Sequence, residues 1–526
     1  MTGGSATPVP GGPAVDTFWA LVEHGAVAFA DHVVLRDDHG RVLTGASFRD
    51  AAEVAAAGLA DLGVGPGSRV SWQLPSTLEA LVVTAALARL GAVQNPIVPV
   101  LRSQDVAFIV DQFGAELLLA PEEWRGFGHG AMAREVAAPR GITVVICDHA
   151  TDPTTVGNAM RLPAGDPTRL PDPPGMNGER WVYYSSGTTA EPKGIRHTDF
   201  SVMASANAVM LGMGMNPDDV FPMAIPMAHI GGVGMLTASL MSGMCIAVFD
   251  VWDPATTPER MAAHRPTILG SAVPFFLAYM AAQQRHGAEP LFPALRSGVA
   301  GGAPLPPEVN RSVRETLGIR GICNSWGLTE FPIITSPAPD DPIEVLDTTV
   351  GYPGRGVQVR AVGADGVEMP SGEEGELRLK GPQCFAGYVD PALDAGAFDD
   401  DGWLRSGDLG TVEADGRVRV TGRLKDVIIR NAENVSALEV EDVLMRCPGV
   451  ADVAVIGVPD PKTVERVCAI VVLQPGATVG LDDVIAHCRG EGMTPFKIPE
   501  RVEVVDAIPR NAMGKILKND LRARFH

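Results

Sequence analysis

Apolar residues recur at helical spacing through the Ala-rich stretch from Phe48 to Leu62, and short apolar runs stand at Glu116 to Leu119 and Thr143 to Cys147. A 3.6-residue rhythm alternating with such runs predicts stacked α/β layers over about residues 15–150. The longest apolar stretch, Leu78 to Val93, alternates Ala with Leu and Val and carries Glu79 and Arg89 near its ends. It predicts a buried helix, since a membrane span needs about 18 apolar residues without interruption. The Pro- and Asp-rich segment from Asp148 to Met176 reads as an exposed linker or loop ahead of a strand at Trp181 to Tyr184. From about residue 350 the texture changes to short strands separated by Gly, Asp and Pro (Gln358 to Val362, Glu376 to Leu379, Val418 to Thr421), which predicts a β-rich subdomain. Beyond it, Ser436 and Glu439 have capping-box spacing ahead of Val440, Val443, Leu444 and Cys447, and strands are expected at Val453 to Val458 and Val467 to Leu473. These describe a separate, small α+β unit.

At 526 residues the chain exceeds what one compact core needs, so two or more domains are expected. A composition of 46% hydrophobic and 20% charged residues, with 59 Gly and 43 Pro, fits a loop-rich globular enzyme scaffold. The formal charge of −21 argues against a nucleic-acid partner, because neutralising phosphates needs a basic surface. The seven cysteines stand singly, with no CxxC pair, so their spacing suggests neither a disulfide framework nor a zinc site. The leader from Met1 to Pro13 has neither a basic n-region nor an apolar h-region. With no integral membrane segment in view, a cytoplasmic enzyme is expected.

After Tyr184 the chain reads SSGTTAEPKG, Ser185 to Gly194, with a lysine eight residues after the first serine. Hydroxyls and glycines directly after a strand can turn donors toward phosphate oxygens and bring an ammonium beside them. The loop is a phosphate cradle but no Walker A motif, because Pro192 stands where the second Gly of GxxxxGK[ST] belongs.

The string YSSGTTAEPKG resembles the signature of the adenylate-forming superfamily, which includes acyl-CoA synthetases, peptide-synthetase adenylation domains and firefly luciferase. PMAHIGG (Pro226 to Gly232), GGAPL (Gly301 to Leu305), SWGLTE (Ser325 to Glu330), GWLRSGDLG (Gly402 to Gly410), GRLKDVI (Gly422 to Ile428) and PRNAMGK (Pro509 to Lys515) follow in the family's order. The resemblance implies a large N-terminal adenylation domain, residues 1–422, of layered α/β subdomains plus a β-rich subdomain, and a small mobile α+β C-terminal domain, residues 423–526. It implies an acyl-CoA ligase, with ATP, Mg2+ and CoA as cofactors. Ser185, Ser186, Gly187, Thr188, Thr189 and Lys193 would hold phosphates, Thr329 the α-phosphate and Glu330 the metal. Gly302, Ala303, Pro304, Asn324, Ser325, Trp326 and Gly327 would form the adenine slot. Asp408 would accept the ribose hydroxyls, with Arg423 beside it. Lys515 would bridge the substrate carboxylate and the α-phosphate; catalysis would rest on Lys515, Glu330, Thr329 and His229.

One site cannot hold both Lys515 and an incoming thiol, so the small domain would rotate, with Lys425 as hinge. The acyl pocket would be lined by His229, Gly231, Gly232, Phe275, Gly301, Trp326, Leu328 and Ile333, with His229 as a gate rather than an acid, base or metal ligand. The windows around these residues, which also hold Met235, Phe276 and Ile334, carry no Lys or Arg and no acid except Glu330. An apolar acid is implied, and small residues beside aromatics, with many Met between 203 and 244, leave room for a bulky alicyclic or polycyclic one. Asn431, Ala432 and Glu433 would border the CoA tunnel. Ala190 and the pair Asn431 and Ala432 depart from the glycines common in the family. The departures leave open specialisation for one half-reaction with a partner ligase, or loading of an acyl carrier protein in place of CoA; a homodimer is also open.

Overall fold

The computed structural model describes residues 12–152, 154–155, 160–175, 178–185, 192–430, 433–460, 462–511 and 514–525. Parallel strands Thr143–Ile146, Leu117–Ala120, Arg69–Trp72, Val93–Pro96 and Trp181–Ser185 lie side by side, and Lys193–His197 closes that sheet antiparallel to Trp181–Ser185. A second sheet runs Val42–Thr44, Val33–Asp37, Cys245–Val248, Val220–Met223, and a third, all parallel, runs Ile268–Ser271, Ser297–Gly301, Ile322–Ser325. The antiparallel strands Gln358–Val362, Gly375–Lys380, Leu404–Val412 and Val418–Arg423 make the expected β-rich unit. A separate sheet begins at Val427, where Val427–Arg430, Glu433–Ser436, Val450–Asp460, Val464–Leu473 and Arg501–Val504 associate.

The Ala-rich stretch forms the helix Gly45–Asp61, started by a reciprocal box in which the Thr44 hydroxyl accepts from Ser47 N and the Ser47 hydroxyl accepts from Thr44 N at 2.8 Å. The helix Leu78–Leu90 has no solvent face: every residue in it is buried, Glu79 and Arg89 included. The polar ends survive because each has a partner. Arg41 makes a two-pronged bond to Glu79 and sets its Nε 2.7 Å from Asp37 Oδ2, all three side chains being almost fully enclosed. Arg89 donates to Pro171 O at 2.7 Å.

Three expectations are corrected. The segment from Asp148 to Met176 is in its described parts a strap rather than an exposed linker: Gly165 N donates to Val54 O, and Met160 is buried in the core. A Cβ on Gly58 would stand 2.3 Å from the backbone of Pro163 and Ala164, so only glycine admits that approach. Ser436 caps its helix, but Glu439 reaches Lys497 Nζ at 2.7 Å instead of completing the box. The methionines at 203, 210, 213, 215, 223, 227, 235, 241 and 244 pack into the hydrophobic core, so their abundance is filling and no measure of pocket size.

Glu79→Ala leaves the buried Arg41 guanidinium with Asp37 as its remaining carboxylate, and equilibrium denaturation should register a loss of about 1.5–3 kcal/mol.

Candidate nucleotide and acyl site

The strands Trp181–Ser185 and Lys193–His197 pair with Ser185 opposite Lys193, which sets the two ends of the segment read as a phosphate cradle side by side. Ser186, Gly187, Thr188, Thr189 and Ala190 lie outside the described residues. The free edge of Lys193–His197 is covered by the segment 386–389: Ala386 N donates to Arg196 O at 2.7 Å and Val389 N to Gly194 O at 2.8 Å. That pairing sets Tyr388 under the lysine, with Lys193 Nζ 5.5 Å from the ring centroid, while the Tyr388 hydroxyl donates to Glu330 Oε1 at 2.9 Å. Burial and the neighbouring Glu330 raise the Tyr388 phenol above its ordinary range, so it keeps its proton and acts as the donor. Ammonium, ring and carboxylate thus stand in a row. Neither Tyr388 nor its role carried a signal in the chain, because a lone Tyr in the connection between Gly375–Lys380 and Leu404–Val412 belongs to no motif.

Thr329 and Glu330 sit on a tight turn in which Leu328 and Phe331 exchange backbone bonds at 3.1 and 3.2 Å. Two backbone features hold the turn: a Cβ on Gly327 would lie 2.6 Å from Ile333 N, and Ile333 itself has φ +48°, a left-handed conformation unusual for a β-branched residue. His197 braces it from below. Its Nε2 donates to Thr329 O at 2.7 Å and its Nδ1 accepts from the Ser201 hydroxyl at 2.9 Å. Burial pushes the His197 imidazole down to about 4, so it stays neutral and holds one tautomer.

Gly301 pairs with Ser325 across adjacent parallel strands, and Gly302 follows at φ +79°, where a Cβ would meet nothing within 4 Å, leaving an open wall that Ala303 and Pro304 continue. On the neighbouring strand, opposite Ala300, buried Asn324 has an Oδ1 that is shut off from solvent and finds no hydrogen-bond partner among the described residues. An exocyclic amine such as that of adenine would satisfy it. Asp408, 2% exposed, stands opposite Arg423 in the strand register; its Oδ1 takes Arg423 Nε and its Oδ2 takes the Trp326 indole N–H, both at 2.8 Å. Each oxygen retains a lone pair, enough for two ribose hydroxyls.

Lys515 comes to the same place. Its N–H donates to Asn511 Oδ1 at 3.0 Å, and Gly514 lies so close to Pro274 that a Cβ would be 3.2 Å from the ring. Burial, then the positive charges of Arg423 and Lys425, push the Lys515 ammonium down to about 8, with Asp408 and Asp426 opposing. Lys425 lies in the turn Leu424–Asp426 between the β-rich sheet and the sheet that begins at Val427. Glu433 is exposed opposite Arg430 in a hairpin; Asn431 and Ala432 lie outside the described residues.

On the acyl side, His229 caps the helix Ile230–Ser242 by accepting Gly231 N–H at Nδ1, 3.1 Å away. Burial pushes its imidazole down to about 4, so the ring is neutral. Gly232 has no room for a side chain, its Cβ position being 2.6 Å from Pro226 O, whereas Gly234 faces open space. Phe275 packs on Trp252 with centroids 4.5 Å apart. Leu328 and Ile333 are half-buried, but Phe276 and Ile334 are wholly enclosed in hydrophobic cores, so the windows expected to line the pocket do so only in part.

A family model for AMP-binding enzymes matches residues 22–389, and one for the AMP-binding enzyme C-terminal domain matches residues 439–515. The chain belongs to the AMP-binding enzyme family. Within it, the chain is 30% identical to the medium-chain fatty-acid–CoA ligase of Escherichia coli, over 94% of this chain and 88% of that one. It is 32% identical to the 3-[(3aS,4S,7aS)-7a-methyl-1,5-dioxo-octahydro-1H-inden-4-yl]propanoyl:CoA ligase of Mycobacterium tuberculosis, over 94% and 96% of the two chains. The fold matches ATP-bound MatB from Rhodopseudomonas palustris with a TM-score of 0.84 at 26% identity, covering 96% of this chain and 99% of that one. The chain is thus an AMP-forming acid–thiol ligase in class, a branch of AMP-binding enzymes that use ATP and CoA. Among the described residues no helix is long and apolar enough to cross a membrane.

Tyr388→Phe removes the only atom that joins the ring to Glu330 while keeping the packing under Lys193. Acid-dependent ATP–pyrophosphate exchange should fall by about tenfold, the effect of about 1.5 kcal/mol for a hydrogen bond to a charged group, with melting temperature nearly unchanged.

Proposed function

We propose that this enzyme is an acyl-CoA ligase that activates a bulky apolar carboxylic acid, alicyclic or polycyclic in type, with ATP and passes the acyl group to CoA. The observation that supports it most is the position of Lys515, which shares its surroundings with Asp408 and Arg423 while its loop leans on Pro274 at the acyl side. A cation there lies where a carboxylate and an α-phosphate would have to meet. The residues present suit the nucleotide: an unpaired Asn324 amide oxygen for adenine, a carboxylate with two spare lone pairs for ribose, and Lys193 for phosphate oxygens. Glu330, with one oxygen held by Tyr388 and hard donor atoms, suits Mg2+, which when bound would neutralise phosphate charge and keep most of its water ligands.

In this reading Lys515 orients the acid and stabilises charge that builds as the acyl oxygen displaces pyrophosphate. Neutral His229 at the helix start shields the reacting carboxylate from water. The small domain, residues 423–526, then turns about Lys425 and withdraws Lys515, opening a path for the thiol past Glu433. The acid's class follows from what the acyl side lacks: no Lys or Arg, and no carboxylate besides Glu330, to match a second charge. The open space beside Gly234 supports its size. A relative named for a fused bicyclic propanoyl substrate agrees with that size.

A panel of linear, aromatic and polycyclic acids, assayed for pyrophosphate release and for thioester with CoA or a holo-carrier protein, tests substrate and acceptor together; fastest turnover of a short linear or amino acid would overturn the reading. Lys515→Ala should cut adenylation by about 10²–10³-fold yet spare thioester formation from presynthesised acyl-adenylate. Because the charged lysine is the working form and its value lies near 8 before anions bind, kcat/KM for adenylation should fall as pH rises through about 8, and the residual activity of Lys515→Ala should lack that limb.

A further inference from the structure

Away from the nucleotide site, three loops converge at one edge of the sheet built from Val33–Asp37 and Cys245–Val248. His39 comes from the turn after Val33–Asp37, His149 from the loop after Thr143–Ile146, and Asp250 from the loop after Cys245–Val248. One ligand-capable atom from each lies within 4.8 Å of the others, and His149 Nε2 is 3.5 Å from Asp250 Oδ2. The two imidazoles stack at 6.4 Å with 28° between planes. His39 Nε2 is shut off from solvent and finds no hydrogen-bond partner among the described residues. The adjacent carboxylate, Asp38, lies 3.7 Å from it and is already committed to Arg260. An imidazole nitrogen held that way lacks a partner it could readily have had from water.

We propose that His39, His149 and Asp250 bind a divalent transition-metal ion of borderline softness, with Zn2+ as the representative, at a site separate from the catalytic one. Two imidazoles and one carboxylate form a donor set suited to Zn2+, leaving a further position for water. Nitrogen and oxygen ligands at about 2.0–2.2 Å from one ion stand roughly 3.3 Å apart, so the longest present separation closes by side-chain rotation of little more than an ångström. The three side chains are between 17% and 28% exposed, which gives them that freedom and gives the ion a way in.

The backbones that carry the ligands are fixed. His39 N and Arg41 N both donate to Asp37 Oδ1, at 3.1 and 2.9 Å, locking the turn. Arg41 passes from that turn to Glu79, whose Oε1 in turn accepts Ala150 N at 3.2 Å, one residue from His149. Asp148, on the other side of His149, accepts Glu122 N at 2.8 Å. Asp37 pairs with Val248 in the strand register, which sets the Asp250 loop beside the His39 turn. The buried ion pair thus fixes the two histidine loops and the strand register fixes the Asp250 loop, as a preorganised metal site requires.

The test uses the full-length protein stripped with chelator, dialysed against micromolar Zn2+ and then against metal-free buffer. Elemental analysis should find one Zn2+ per chain, Co2+ in its place should give visible d–d absorption, and Zn2+ should raise the melting temperature. His149→Ala and His39→Ala should each lose the bound Zn2+, the Co2+ bands and the thermal shift while retaining acid-dependent ATP–pyrophosphate exchange; Asp250→Asn supplies the same comparison if either fails to fold. Failure of the wild-type chain to retain Zn2+, or retention undiminished in the folded variants, overturns the proposal.

Discussion

Three cations, Arg423, Lys425 and Lys515, gather around two carboxylates, Asp408 and Asp426, and this excess of positive charge, together with burial, sets the state of the Lys515 ammonium. Asp408 is saturated on one side by Arg423 and Trp326, so it cannot neutralise the lysine as well. Burial and that imbalance together lower the Lys515 value: the docked ammonium sheds its proton more readily than a lysine in water. Anions relieve it. On the proposed roles, ATP and a carboxylate supply the missing negative charge and favour the docked arrangement, and departure of pyrophosphate removes part of it. The electrostatics that speed the first half-reaction therefore also weaken the hold on Lys515 once that step is done.

A second ionisable group at the junction acts in the opposite sense. Burial, with Glu441 on its own helix and Glu308 across the interface, pushes the Asp442 carboxyl up to about 7. Lys515 is depressed by docking, so docking grows more favourable as pH rises from about 8 toward the value of the free lysine. Asp442 is raised, so whatever share of its shift Glu308 supplies favours docking below about 7 and is lost above it. The two terms meet near neutrality, and neither Arg446, beside Asp442, nor Asp408 reverses the sign.

Much of this architecture was legible in the chain, for reasons that differ from element to element. The helix Gly45–Asp61 could be read because one face is Ala and Leu at regular spacing, and the strand Gln358–Val362 because turn residues bracket it. The segments that hold Ser185, Thr329 and Asp408 stood out as motifs because the chemistry proposed for them demands several residue types close together in sequence. The groups that brace them did not. Tyr388 meets Glu330 across 58 residues and His197 meets Thr329 across 132, distances at which sequence spacing carries no information. Glu439 illustrates the converse: its spacing from Ser436 suited a capping box, but Lys497, 58 residues on, offered a full charge in place of a backbone N–H. The helix Leu78–Leu90 was read as buried from its apolar run, but the partners that let Glu79 and Arg89 lie inside, Arg41 and Pro171, carried no signal in the spacing.

The contacts inside the large unit differ in kind from those across the junction, and the proposed withdrawal of Lys515 requires that difference. In the large unit, the helix Leu78–Leu90 is enclosed on every side and its charged groups are tied to Arg41 and Pro171, interactions whose loss costs several kcal/mol. Across the junction the Ser436 hydroxyl donates to Thr421 O at 2.7 Å close to the Leu424–Asp426 turn, and farther from it the groups are small or poorly coupled. Gly514 meets Pro274 without a side chain of its own, and Arg446 reaches Glu308 only at 3.8 Å, with both side chains partly in water and Arg446 also shared with Glu491. Such pairs contribute about 0–1 kcal/mol. An interface of that strength can be made by the arrival of two anions and unmade by the loss of one, which is the condition for a lysine that must enter a site and then leave it. A glycine at 514 meets the same condition sterically, since a side chain there would have to wedge against Pro274 each time the loop docked.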